Sequence, residues 1–234
     1  MTESVTFNID KTARAAGWAL LGSIVVGILG AVFVAKDIDI NMSADIVGTA
    51  EAMLDAETRL MAKAYLGLLT FALALLTSIG LYLILKTRGQ LLAAWSLLVA
   101  LGGAVLVLLG SVYAMNAAQI GGNEAFETLA SAEQRHLLAG LQTTSDYTSF
   151  HLGLVLSSSG NAGFFYLFLK SGLIPKIIAG WGLFASLFVA VMIVARDFIP
   201  ALGHNGITAT FMVSNLIAIL ATGFYLAIKG VRTG

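Results

Sequence analysis

Asp146, Ser149 and His151 lie within six residues of one another, and Ser157, Ser158, Ser159 and Asn161 follow in the same stretch. On a helix, whose turn rises ~5.4 Å, Asp146 stands one turn from Ser149 and little more than one from His151. An acid, an imidazole and hydroxyls at this spacing could move a proton or orient a polar substrate. The groups that could join them are Glu57, Arg59, Lys63 and Tyr65, then Tyr113, Asn116 and Gln119, then Arg196 and Asp197, with His204, Asn205, Ser214 and Asn215 further along. One expectation is a polar pocket built from Arg59, Tyr65, Asn116, Asp146, Ser149, His151 and Arg196, with Asp146 paired to Arg59 or Arg196 and His151 at its floor. The competing one is that Arg59, Arg196 and Asp197 sit at lipid headgroup level while Asp146 pairs locally and closes a bundle.

Other chemistries fit the residues less well. The three histidines, His136, His151 and His204, share no helix face at four-residue spacing, which speaks against a bis-histidine haem or a zinc centre, so neither a metal nor any other cofactor is expected. Ser157–Asn161 is the kind of small-residue turn an intramembrane serine protease uses, but the last apolar run offers no histidine to serve as its base. That run also lacks a lysine for a retinal Schiff base before Lys229, and the chain has no cysteine for thiol or iron–sulfur chemistry. No catalytic set is identified, and enzymatic activity is not the leading expectation.

The elements that must position these groups are six apolar runs, 13–35, 60–85, 91–118, 148–169, 177–195 and 207–228. Each is long enough to cross a hydrocarbon core about 30 Å thick. With 58% apolar and 11% charged residues, the composition lies outside the soluble range and agrees with that reading. The fold class expected is an all-α integral membrane protein, a six-helix bundle forming a single membrane domain over 1–234. The first run exceeds a signal-peptide core, and Phe33 before Ala35 makes a poor cleavage site, so it reads as a retained span.

Charge then orients the spans. If the N-terminus is cytoplasmic, the segments on that side carry Lys11, Arg14, Lys86, Arg88, Lys170, Lys176, Lys229 and Arg232 and a net charge of +6, while the opposite side carries −6. Basic residues favour the cytoplasmic side, so both termini are expected inside and the acidic loops outside. The overall net charge is zero and no basic block occurs, so nucleic acid is not an expected partner. The partners expected are the lipid bilayer and, on the acidic outer side, a small amphiphilic ligand or a membrane-protein partner.

Between the first two spans, 43–59 reads as an amphipathic lead-in at the outer surface, with Ser43 as N-cap, Asp45 in the first turn, and Ile46, Ala50, Met53, Leu54 and Met61 at helical spacing. The second outer loop, 119–134, opens on Gly121 and Gly122 and presents Glu124, Glu127 and Glu133 before helix resumes over 136–145. Small residues recur every fourth position in three rows: Ser23, Gly27 and Ala31; Ser149, Gly153 and Ser157; Gly182, Ser186 and Ala190. Such rows let helices approach closely in lipid, so Gly27, Gly153, Ser157, Gly182 and Ser186 are the candidate packing residues, and oligomerisation through them is open.

The turn Lys170-Ser171-Gly172-Leu173-Ile174-Pro175-Lys176-Ile177, with Lys11-Thr12-Ala13-Arg14-Ala15-Ala16-Gly17 and Ala56-Glu57-Thr58-Arg59-Leu60, resembles a bacterial membrane-protein family catalogued as domain of unknown function 4386. The resemblance runs from about Lys11 to Ile228, and Leu173 stands where members often carry an aromatic residue. It implies a multi-span protein of a bacterial inner (plasma) membrane, implies no activity, and puts Arg59 at a position of the family pattern. Two functions therefore stand side by side. One is a non-enzymatic bundle binding a small amphiphile or membrane partner at its outer face. The other is a transporter or intramembrane enzyme using Asp146, His151 and Arg59 in proton transfer or substrate positioning.

Overall fold

The computed structural model describes residues 8–43 and 45–232, and gives the backbone alone for Met42, Ser43 and Asn205. Its elements are α1 (Ile9–Leu29), extended by a π-helical turn over Gly30–Val34, then α2 (Ile40–Ser43), α3 (Ile46–Leu54), α4 (Glu57–Leu85), α5 (Gln90–Gly122), α6 (Glu124–Leu129), α7 (Ala132–Ser171), α8 (Lys176–Phe198) and α9 (Asn205–Lys229). No strand occurs among the described residues, and six helices are long and apolar enough to cross a membrane: Ile9–Val34, α4, α5, α7, α8 and Gly206–Lys229. A chain this apolar satisfies its backbone within each helix, because hydrocarbon offers the peptide groups no partner.

The helices run past the apolar stretches into their polar flanks. The helix expected over 136–145 and the fourth span are one continuous α7, started by a reciprocal cap in which Ser131 N–H donates to Gln134 Oε1 (2.8 Å) and Gln134 N–H to Ser131 Oγ (3.3 Å). The single lead-in expected over 43–59 is instead divided. Ser43 ends α2, and Asp45 rather than Ser43 caps α3, its extended backbone letting Oδ1 accept from Gly48 N–H at 3.1 Å. The helix then breaks at Asp55 before α4 begins at Glu57.

Two compact units take up the chain: 1–22, 73–101 and 155–234 in one, 23–72 and 102–154 in the other. The first holds nine Lys/Arg and three Asp/Glu and is called the basic unit; the second holds four and ten and is called the acidic unit. Phe164, Phe168, Ile84, Leu85, Ile174 and Leu226 form the core of the basic unit. There α5 and α7 meet backbone to backbone at Gly160, where a β-carbon would lie 2.6 Å from Ala100 N and 2.7 Å from Ser96 O. Gly182 meets the Phe165 ring, and Ser186, one turn on, is fully buried. All three tryptophans, Trp18, Trp95 and Trp181, belong to this unit. Each stands within seven residues of a lysine or arginine at its helix end, as indoles do at a membrane interface.

In the acidic unit, Ile38, Met53, Leu60, Ala64, Ala114, Ala117 and Ala118 pack together. Gly153 rests against Val107 and Gly103 O, where a β-carbon would lie at 2.7 and 2.8 Å, and Ser157, of the basic unit, is half-buried. Gly27 departs from the packing expected of its row. It is exposed, with nothing within 4 Å of the place a β-carbon would take.

Candidate functional site

The acidic unit gathers three charged side chains at one point, and the sequence just after α1 explains how. Asp37 adopts φ = 67°, a left-handed conformation that Asp tolerates better than most residues, and the chain reverses there. Beyond it, Ile38 and Ile40 are almost fully buried while Asp37 and Asp39 alternate with them. Asp39 thus arrives beside α4. Its Oδ1 accepts from the backbone N–H and side-chain amide of Asn41 (3.0 and 3.1 Å), and its Oδ2 lies 3.3 Å from Lys63 Nζ.

Lys63 stands on α4, one turn after Arg59, and its ammonium also donates to Asp146 Oδ2 on α7 at 2.9 Å. The three side chains are only 14%, 18% and 6% exposed for Lys63, Asp39 and Asp146, so water screens them little. Gly110 on α5 makes room for the acid, since a β-carbon there would collide with Asp146 Oδ1. Around the cluster, Ser149 Oγ donates to Asp146 O (3.1 Å) and Thr143 Oγ1 to Ala139 O and Met53 Sδ (3.0 and 3.3 Å), so these hydroxyls are committed to structure. Asn41 Oδ1 is buried and has no hydrogen-bond partner among the described residues.

Two carboxylates on one ammonium leave a formal charge of −1. Ions held this far from water are costly even when paired, and in membrane helices they mark sites of proton or ion handling. The arrangement can accept one positive charge. A proton on either carboxyl leaves Lys63 paired with the other.

Within the acidic unit the sequence-derived pocket residues make different contacts. Asp146 pairs with Lys63, not with Arg59 or Arg196. Arg59 serves the end of the first span, donating from Nε to Val34 O at 3.0 Å and from a second guanidinium nitrogen to Lys36 O, which satisfies carbonyls that a helix C-terminus leaves open. Tyr65 is 63% exposed, and Asn116 donates to Gln142 Oε1 at 3.2 Å. The ring of His151 engages its own helix, with Nδ1 2.7 Å from Tyr147 O and its centroid 4.0 Å from that of Tyr147. Arg196, in the basic unit, has Nε 3.9 Å from Asp197 Oδ1. Of the seven, the structure brings together Asp146 and Ser149 on one helix and supplies as partners Lys63, which the sequence offered among the nearby groups but not as the ion-pair partner, and Asp39, which sequence reasoning missed. Two signals pointed to them: a lysine inside the second apolar run, and the alternation Asp37-Ile38-Asp39-Ile40 with both isoleucines destined for the core.

A family model described as Domain of unknown function (DUF4386) matches residues 15–230. No curated protein and no solved structure matches the chain.

Proposed function

We infer the function from the ion cluster, because the chain belongs to the DUF4386 family, a domain of unknown function that brings no activity with it. The reading is a non-enzymatic, proton-responsive protein of a bacterial inner membrane, with both termini cytoplasmic and the Lys63 cluster on the outer side. Protonation of the cluster loosens the segment that precedes α3 and opens the outer face to a small amphiphile or a membrane partner.

The observation that carries it is the sharing of the Lys63 ammonium between Asp39, on a connecting segment, and Asp146, on a spanning helix. Loss of the charge on Asp39 cuts the ionic tie to the segment and leaves a neutral Lys63–Asp146 pair behind. The cluster is then neutral, and the segment keeps the burial of Ile38 and Ile40 and the Arg59 hydrogen bond to Lys36 O. The partnerless Asn41 Oδ1 supports the same view, since it offers an acceptor to whatever positive or proton-bearing group enters.

Hydrogen exchange over residues 35–54 tests it, on the purified protein in lipid nanodiscs. With the intrinsic pH dependence of amide exchange divided out, protection there is expected to fall on acidification in the wild type and to be low at every pH in Asp39→Asn. The same protection and the same pH response in both proteins would sink the reading.

A further inference from the structure

The basic unit contains a cavity of about 40 Å³ that is not closed all round, walled by Leu20, Leu81, Ile219 and the rings of Phe164, Phe165 and Phe168. Three polar side chains interrupt the apolar wall: Thr77, Asn161 and Thr222. The threonine hydroxyls donate within their own helices, Thr77 to Leu73 O at 2.9 Å and Thr222 to Ala218 O at 2.8 Å, which leaves their lone pairs available. Asn161 forms no hydrogen bond with any described residue, although its amide carries two donor hydrogens and an acceptor.

Depth makes that amide informative. Leu20, Thr77 and Asn161 are each nine residues from the lysine at their helix end, Lys11, Lys86 and Lys170. Nine residues of helix rise ~14 Å, close to the middle of a hydrocarbon core about 30 Å thick. An unpaired amide there has no water to turn to, and its desolvation is uncompensated.

We propose that this cavity binds the head of a small uncharged amphiphile, a hydroxyl group that donates to a threonine oxygen and accepts from the Asn161 amide while its hydrocarbon lies among the three phenylalanines. Size and charge select this class. One water needs about 10–15 Å³ of such space, so the cavity takes roughly three heavy atoms, a polar head with its first carbons, and the rest of the chain leaves through the open side. No charged side chain lines the wall, so a charged head is disfavoured. The site is independent of the Lys63 cluster and stands or falls without it.

A diazirine-bearing hexanol tests the proposal on the full chain in nanodiscs, with adducts mapped by mass spectrometry. Adducts are expected on Leu20, Phe164, Phe165, Phe168 and Ile219, and unlabelled 1-hexanol should compete them away. Asn161→Leu is expected to fold and to lower these adducts about two- to tenfold, the worth of one neutral hydrogen bond, while labelling of the exposed Phe184 stays constant. Thr222→Val, a near-isosteric change, provides the same readout if Asn161→Leu does not fold. Adducts confined to lipid-facing residues, no competition by 1-hexanol, or equal cavity labelling in a folded variant and the wild type would each overturn it; the first of these is what a cavity filled only by water would give.

Discussion

Lys63 is held by two acids at once, so removing it and removing either acid are different experiments. Lys63→Met leaves two carboxylates facing each other with little water between them, and breaking a buried pair by deleting one partner costs about 3–5 kcal/mol. The triple variant Lys63→Met, Asp39→Asn, Asp146→Leu removes all three charges and is expected to recover most of that loss. Both are measurable by denaturant titration in mixed micelles, and equal instability of single and triple variants would show that packing rather than charge holds this corner. Asp146 was legible in the sequence as an acid at the head of the fourth apolar run. Its partner was not, because Arg59, Lys63 and Arg196 all stand at helix ends, and the choice depends on side-chain reach. Arg59 is consumed by the open carbonyls of Val34 and Lys36, which no spacing rule reveals.

Helices were easier to read than their connections. The six apolar runs announced six spans because length alone separates a crossing helix from a soluble one. The fragments α2, α3 and α6 are governed by single caps, Asp45 for α3 and Asn123 for α6, and pattern reading blurred the first into one long amphipathic segment. Small-residue rows were legible only in part. A row shows that helices can approach, but which face of the row is covered depends on the fold, and Gly27 turned out to face open space. Two alanine substitutions separate these cases. Gly160→Ala pushes a methyl group against the α5 backbone and is expected to destabilise by about 1–3 kcal/mol, whereas Gly27→Ala is expected to leave stability unchanged or raise it by up to about 1 kcal/mol through helix propensity. Thermal unfolding in detergent reports both, and similar shifts for the two variants would contradict the packing described for α5 and α7.

For the molecule as a whole, charge is sorted by unit: nine Lys/Arg against three Asp/Glu in the basic unit, four against ten in the acidic one. The positive-inside rule, applied to the loops between the spans, gives an expected topology that can be checked directly, because the chain contains no cysteine. A cysteine placed at Asp37 should react with a membrane-impermeant maleimide added to intact cells, and one placed at Arg88 should react only after the cells are opened. The reverse pattern would invert the orientation. The sequence carried this much because charge sorting is a property of composition along the chain, while the ion cluster and the phenylalanine-walled cavity arise only when distant helices meet.

The placement of the indoles gives the protein a built-in, one-sided optical reporter. Because Trp18, Trp95 and Trp181 all fall in the basic unit, indole emission reports from that unit, while the acidic unit carries the tyrosines Tyr65, Tyr113 and Tyr147. All three rings are at least 46% exposed, so brominated acyl chains should quench them together. A denaturation curve followed by tryptophan fluorescence would therefore report the surroundings of these three indoles.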